Sequence, residues 1–83
     1  SVKGNDIGTI LNLCDIASRE GDITSVVKYS DLLLKVLKLP NNRTLNDLND
    51  LKSILDEISS SLRDNKHYQN QLSNISKRIS PVS

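Results

Sequence analysis

Residues 30–48 read SDLLLKVLKLPNNRTLNDL, and this stretch decides the fold. Leu32, Leu33, Leu34, Val36, Leu37 and Leu39 crowd together, a proline follows, and the chain restarts at Thr44 and Leu45. Ser30, Leu33, Leu34 and Leu37 recur at helical steps, and Ile23, Val26 and Val27 continue the stripe upstream. The spacing predicts a helix over Ile23–Leu39. Tyr29, Leu32, Val36 and Leu39 fill a second arc. A helix apolar over most of its circumference is buried on several sides, so this one reads as the central helix of a bundle. Pro40 should end it, because the residue before a proline is disfavoured in helical geometry.

Outward from this run the pattern repeats. Ile7, Ile10, Leu11, Cys14 and Ala17 predict a first helix over Asp6–Glu20, with Gly21 as its stop. Asp22 then caps the second helix, and so short a turn makes the two helices antiparallel neighbours. After an Asn41–Arg43 loop, Thr44 with Asp47 three residues on resembles a capping box and opens a third helix. Leu48, Leu51, Leu55, Ile58 and Leu62 form its stripe, while Asp47, Asp50, Asp56 and Glu57 face outward. SSSLRDNKH, residues 59–67, weakens the helix and places a turn at 63–67. A last helix carries Tyr68, Leu72, Ile75 and Ile79 and halts before Pro81. The expected fold is all-α, a compact bundle of four or five helices. Residues 6–80 form one domain, with a flexible lead-in at 1–5 and a tail at 81–83.

Composition bounds the rest. Eighty-three residues suit one small domain. With no Phe, Trp or Met and only Tyr29 and Tyr68 as aromatics, the core must be aliphatic. A net charge of +1 supplies no global field toward nucleic acid or membrane. The charge is uneven, however: residues 1–27 sum to −2, 28–43 to +3, 44–64 to −3 and 65–83 to +3. Helices of alternating sign attract when packed antiparallel; the alternative is a basic face made of Lys28, Lys35, Lys38, Lys77 and Arg78. The single cysteine, Cys14, leaves no intramolecular disulfide, fits a reducing compartment and reads as a small core residue. No apolar run approaches the ~20 residues of a membrane span.

Catalytic signatures are missing. One Cys and one His do not make a zinc site, and DLNDLKSILDE lacks the turn glycine of a calcium loop. No cofactor is implied, since no phosphate-cradling or nucleophile-elbow motif is present. His67 reads as an exposed turn residue rather than a general base. These absences point to a non-enzyme. The last helix, KHYQNQLSNISKR, carries few basic residues, which argues against nucleic acid. One uninterrupted helix over 44–79 would instead make an assembly coiled coil, although Asn65 and Gln69 spoil the seam.

At residues 30–48 the chain resembles the N-terminal helical domain of the transcription elongation factor TFIIS. That fold is shared with elongin A and the integrase-binding domain of lens epithelium-derived growth factor. The family pattern is met at Leu33 to Pro40, Thr44-Leu45, Leu62 to Asn65, and Leu72 to Ile79, with REGDITSVV at 19–27 similar to its second-helix entry. The likeness covers residues 18–79. A mid-helix glycine and a closing tryptophan of the family are absent here. The resemblance implies docking of short disordered motifs from transcription or chromatin partners, through two interhelical loops at one end of the bundle. Carried onto this chain, those loops are Ser18, Arg19 and Glu20, and Arg63, Asn65, Lys66, His67 and Tyr68. Tyr68 would stand in for the aromatic of the family's pocket.

The resulting expectation is a protein-interaction module, monomeric in isolation, bound to a disordered peptide and not to membrane. It would reside in the nucleus, the cytoplasm being the alternative. An oligomerisation or assembly module of a larger complex is the runner-up, and a DNA-binding helical domain comes third.

Overall fold

A computed structural model describes residues 6–41 and 44–79. The expected lead-in at 1–5, the tail at 81–83, Ser80 and the Asn42-Arg43 part of the loop lie outside the described residues. Among the described residues the fold is all-α, with four helices: α1 (Ile7–Arg19), α2 (Ile23–Val36), α3 (Leu48–Ser61) and α4 (Lys66–Arg78).

Each helix begins at a side-chain cap that satisfies an otherwise unpaired amide. Asp6 accepts from the Gly8 N–H at 3.1 Å and the Thr9 hydroxyl at 2.9 Å. Asp22 accepts from the Ser25 N–H at 3.1 Å and its hydroxyl at 2.6 Å. Those hydrogen bonds hold the Asp22 carboxyl below the usual range, as a capping carboxylate requires. The third helix differs from expectation. Thr44 is not helical, and Asp47 is the cap, accepting from the Asp50 N–H at 3.1 Å. Asp50 reaches back to the Asn46 N–H at 2.8 Å, a reciprocal pair shifted one residue from a capping box.

The stop of α2 is also corrected. The helix ends at Val36, before Pro40 acts, and Lys38 adopts the left-handed conformation with φ 57°. The Leu39 N–H bonds the Leu34 carbonyl at 2.9 Å and the Lys38 N–H bonds Lys35 at 3.1 Å, the two bonds of a Schellman motif. The same motif closes α1. There Gly21 (φ 72°) takes the left-handed position and the Asp22 N–H bonds Ala17 at 2.9 Å. Gly21 bears that conformation without strain; Lys38 carries a Cβ into it.

Packing runs around a ring. α1 lies against α2 and α4, and α3 against α2 and α4, while the diagonal pairs make no close backbone approach. No helix is central, so α2 occupies a corner, and its second arc of Tyr29, Leu32, Val36 and Leu39 is only half-buried. Leu11, Cys14, Val26, Leu33, Ile58 and Ile75 have no exposed surface and fill the middle.

Helix directions follow from the contacts. The short turns make α1/α2 and α3/α4 antiparallel; Gln69 is bonded twice to Ser59, through its amide to the Ser59 carbonyl and from the Ser59 hydroxyl, each at 2.7 Å. A continuous helix over 44–79 is therefore ruled out by the turn after Ser61. α1 and α4 run parallel. A Cβ on Gly8 would lie 3.2 Å from the Tyr68 hydroxyl, Gln71 donates to Asn12 at 2.7 Å, and Arg78 reaches Asp15 and Ser18. α2 and α3 are parallel as well, with Ile23 and Val27 beside Leu48 and Leu51, and Leu34 near Ile54. The chain after α2 must return along that helix before α3 starts. Asn41 bonds Asp31 midway, and Leu45 then lies by Val27. The topology is up, down, down, up.

Lys38→Gly should stabilise the bundle, since the left-handed penalty of about 1–2 kcal/mol exceeds the roughly 0.5–1 kcal/mol entropic cost of glycine. Denaturant melts should show a gain of about 0.5–1 kcal/mol; a loss would mean that Lys38 is held there by a favourable contact.

Candidate interaction surface

The two loops implied by the resemblance do not meet at one end. Glu20 caps the C-terminus of α1, whereas Tyr68 packs against Gly8 at its N-terminus. Twelve residues of helix separate these points, about 18 Å at 1.5 Å per residue. The expectation of a shared end assumed up-down-up-down connections, and the parallel α2/α3 pair removes it.

Within the first group, Ser18 is buried at 6% exposure; its hydroxyl donates to the Asp15 carbonyl at 2.7 Å and accepts from Arg78 at 3.0 Å. Arg19 is exposed and pairs with Asp15 at 2.9 Å. In the second group, only Arg63 stands in the turn itself. Asn65 is the α4 cap, accepting from the Tyr68 N–H at 3.0 Å. Lys66, His67 and Tyr68 form the first helical turn rather than a loop. His67 is exposed, its ring 6.1 Å from that of the half-buried Tyr68.

The proposed basic face also comes apart. Lys28 and Lys35 belong to α2 and Lys38 follows its C-cap, whereas Lys77 and Arg78 belong to α4, on the diagonal corner of the ring. Arg78 is instead structural. Its guanidinium donates to Asp15, whose side chain is 12% exposed and also holds Arg19. A nearly buried carboxylate needs such partners, because an unpaired one would lose several kcal/mol of solvation, on the order of 3–5 kcal/mol when a buried pair is broken. This cluster ties the C-terminal ends of α1 and α4 together.

Cys14 lies in the core at 0% exposure, with its thiol aimed at the Val26 carbonyl, 3.9 Å away. Burial pushes it up to about 11; the nearby Ser30 hydroxyl opposes the rise and the Asp15 charge adds to it. Ser30, itself buried, has no partner of ordinary hydrogen-bond length among the described residues. The thiol is thus protonated and shielded, not a nucleophile. No group of three or more His, Cys, Asp or Glu among the described residues could hold a metal.

What remains is an apolar face. On α1, Leu13 and Ile16 are 41% and 48% exposed. They are neighbours at i and i+3, on the side away from Leu11 and Ser18. The helix stripe of Ile7, Ile10, Leu11, Cys14 and Ala17 omits both, and that omission is the sequence signal for them. Leu13 adjoins buried Ile10 and Ala17, which places it on the rim facing α2. Tyr29 lies one turn along from Val26, whose carbonyl faces Cys14, which places it on the side of α2 toward α1. Leu32 and Val36 continue the line, half-buried.

Recesses between the helices include two more. The returning chain covers a cavity of about 240 Å³ between α2 and α3, lined by Val27, Leu34, Leu45 and Ile54 with Ser30 and Asp31. Leu45, 39% exposed, lines it from the returning chain. A shallower groove of about 430 Å³ between α3 and α4 is mostly polar, with Asp56, Asn70, Ser73 and Lys77.

Among known proteins, no family model, no curated sequence and no solved structure matches this chain. The class defined by fold and surface is a small four-helix bundle with an exposed apolar patch on α1. No described helix is long and apolar enough to cross a membrane.

Cys14 gives a pH test. Its folded value near 11 exceeds the unfolded value of 9.0, so its stabilising effect is complete below pH 9 and is lost as pH rises toward 11. Stability should fall by roughly 2–3 kcal/mol across that window, and Cys14→Ala should flatten the decline. An unchanged slope in the variant would place the titration elsewhere.

Proposed function

We propose that the chain is a non-catalytic protein-interaction module that docks a short disordered segment of a partner. The observation that carries this reading is the exposure of Leu13 and Ile16, side by side on one helix, where Leu45 is the only other large aliphatic so exposed among the described residues. Exposed leucine alone is ordinary, but adjacent apolar side chains on one helix, with a half-buried aromatic on the neighbouring helix, are the kind of anchors that dominate binding. A setting in transcription or chromatin, and hence the nucleus, is supported by the resemblance of residues 18–79 to the TFIIS N-terminal domain. The docking position carried over from that family is not the one favoured here, because its two loops stand at opposite ends. A disordered partner loses ordering entropy on docking, so affinity should be micromolar, about −8 kcal/mol.

Selection from a displayed library of random 16-residue peptides tests the reading. Enrichment of a shared motif, with binding by the isolated domain in solution, is the expected result. A library that stays unenriched through successive rounds contradicts it.

A further inference from the structure

Charge around the apolar face identifies the chemistry of its occupant. Along the exposed side of α2, Lys28 and Lys35 follow the line of Tyr29 and Leu32. The Lys28 ammonium lies 5.9 Å from the centre of the Tyr29 ring, so a charge sits at the edge of the apolar strip. Lys35, 65% exposed, is held by Asp31 at 3.3 Å but keeps most of its head in solvent. The acidic residues bordering the face, Glu20 and Asp22, gather at the α1/α2 turn, beyond Ile16. Asp22 stays charged as a cap. Glu20 and Asp22 therefore make one end of the face acidic, while Lys28 and the Asp31-paired Lys35 supply cations along the rest.

We infer that the α1/α2 face receives an amphipathic peptide segment whose apolar side chains cover Leu13, Ile16 and Tyr29 and whose acidic side chains lie over Lys28 and Lys35. This rests on the interaction-module reading and adds the site, the partner's charge and its direction. The acidic end of the segment must point away from Glu20 and Asp22, since like charges there would repel. Steering by exposed charge makes the association salt-dependent.

The same peptide selection, repeated on variants, separates the two claims. Peptides enriched on the native domain should combine apolar residues at helical spacing with Asp or Glu at one end. Leu13→Ser with Ile16→Ser, both at exposed positions, should weaken those peptides about tenfold or more while the domain keeps its helical circular dichroism and a cooperative melt. Lys28→Glu with Lys35→Glu should switch the preference to peptides carrying Lys or Arg at that end. Enriched peptides that ignore both variants, or that shift amides only at Arg63–Tyr68, overturn this inference and leave the interaction reading standing. No enrichment on any variant overturns both. Co-sedimentation with phosphatidylserine vesicles, lost in the Lys28→Glu, Lys35→Glu variant and without peptide enrichment, would assign the face to a membrane surface instead.

Discussion

The return of the chain along α2 is the constraint on which the bundle depends. Once α2 stops in a Schellman motif at Lys38, the backbone turns back, Asn41 is tied to Asp31, and Leu45 enters the α2/α3 crevice. Helix α3 must then start beside the start of α2 and run parallel to it. Everything downstream inherits that direction. The short Leu62–Asn65 turn sends α4 back along α3, so it lies parallel to α1. The Asp15–Arg78 contact can form only in that arrangement, because it joins two C-terminal helix ends. A like-directed helix pair gains nothing from its macrodipoles, so the charge cluster of Asp15, Arg19 and Arg78 offsets an unfavourable alignment where it is greatest.

Much of the fold was legible because the sequence is locally consistent. Periodic aliphatic residues marked all four helices, and Asp22 and Gly21 marked their junction through caps whose chemistry is local. Misreadings came where a local signal competed with a nearby one. Pro40 is a strong helix breaker, yet Lys38 had already left helical geometry, and a lysine carries no sequence mark of a left-handed conformation. Thr44 resembled a cap, but Asp47 stands closer to the stripe of Leu48 and Leu51 and wins. The direction of α3 was not legible, since it depends on where an eleven-residue connection lies rather than on its composition.

The candidate surface was less legible than the fold. Residues at the ends of helices attracted attention because they are polar and reside in turns, yet Ser18 is consumed inside the bundle and Asn65 by its cap. Leu13 and Ile16 were hidden in plain view, as apolar residues off the stripe of a helix already explained. The second arc of α2 suggested burial on all sides. In a ring of four helices each member has two neighbours, so such an arc is left half-covered. Leu13, Ile16, Tyr29 and Leu32 thus share one origin: more apolar surface than two neighbours can bury.

The most direct measurement of this account is the set of nuclear Overhauser contacts made by the Tyr68 ring in the isolated domain, since the ring reports which end of α1 the α3/α4 turn adjoins. The topology predicts contacts to Gly8 and its neighbours at the start of α1, about 18 Å from the α1/α2 turn. Contacts from Tyr68 to Ala17, Ser18 or Gly21 would contradict it: the helices would alternate up and down, and the two turns would share one end.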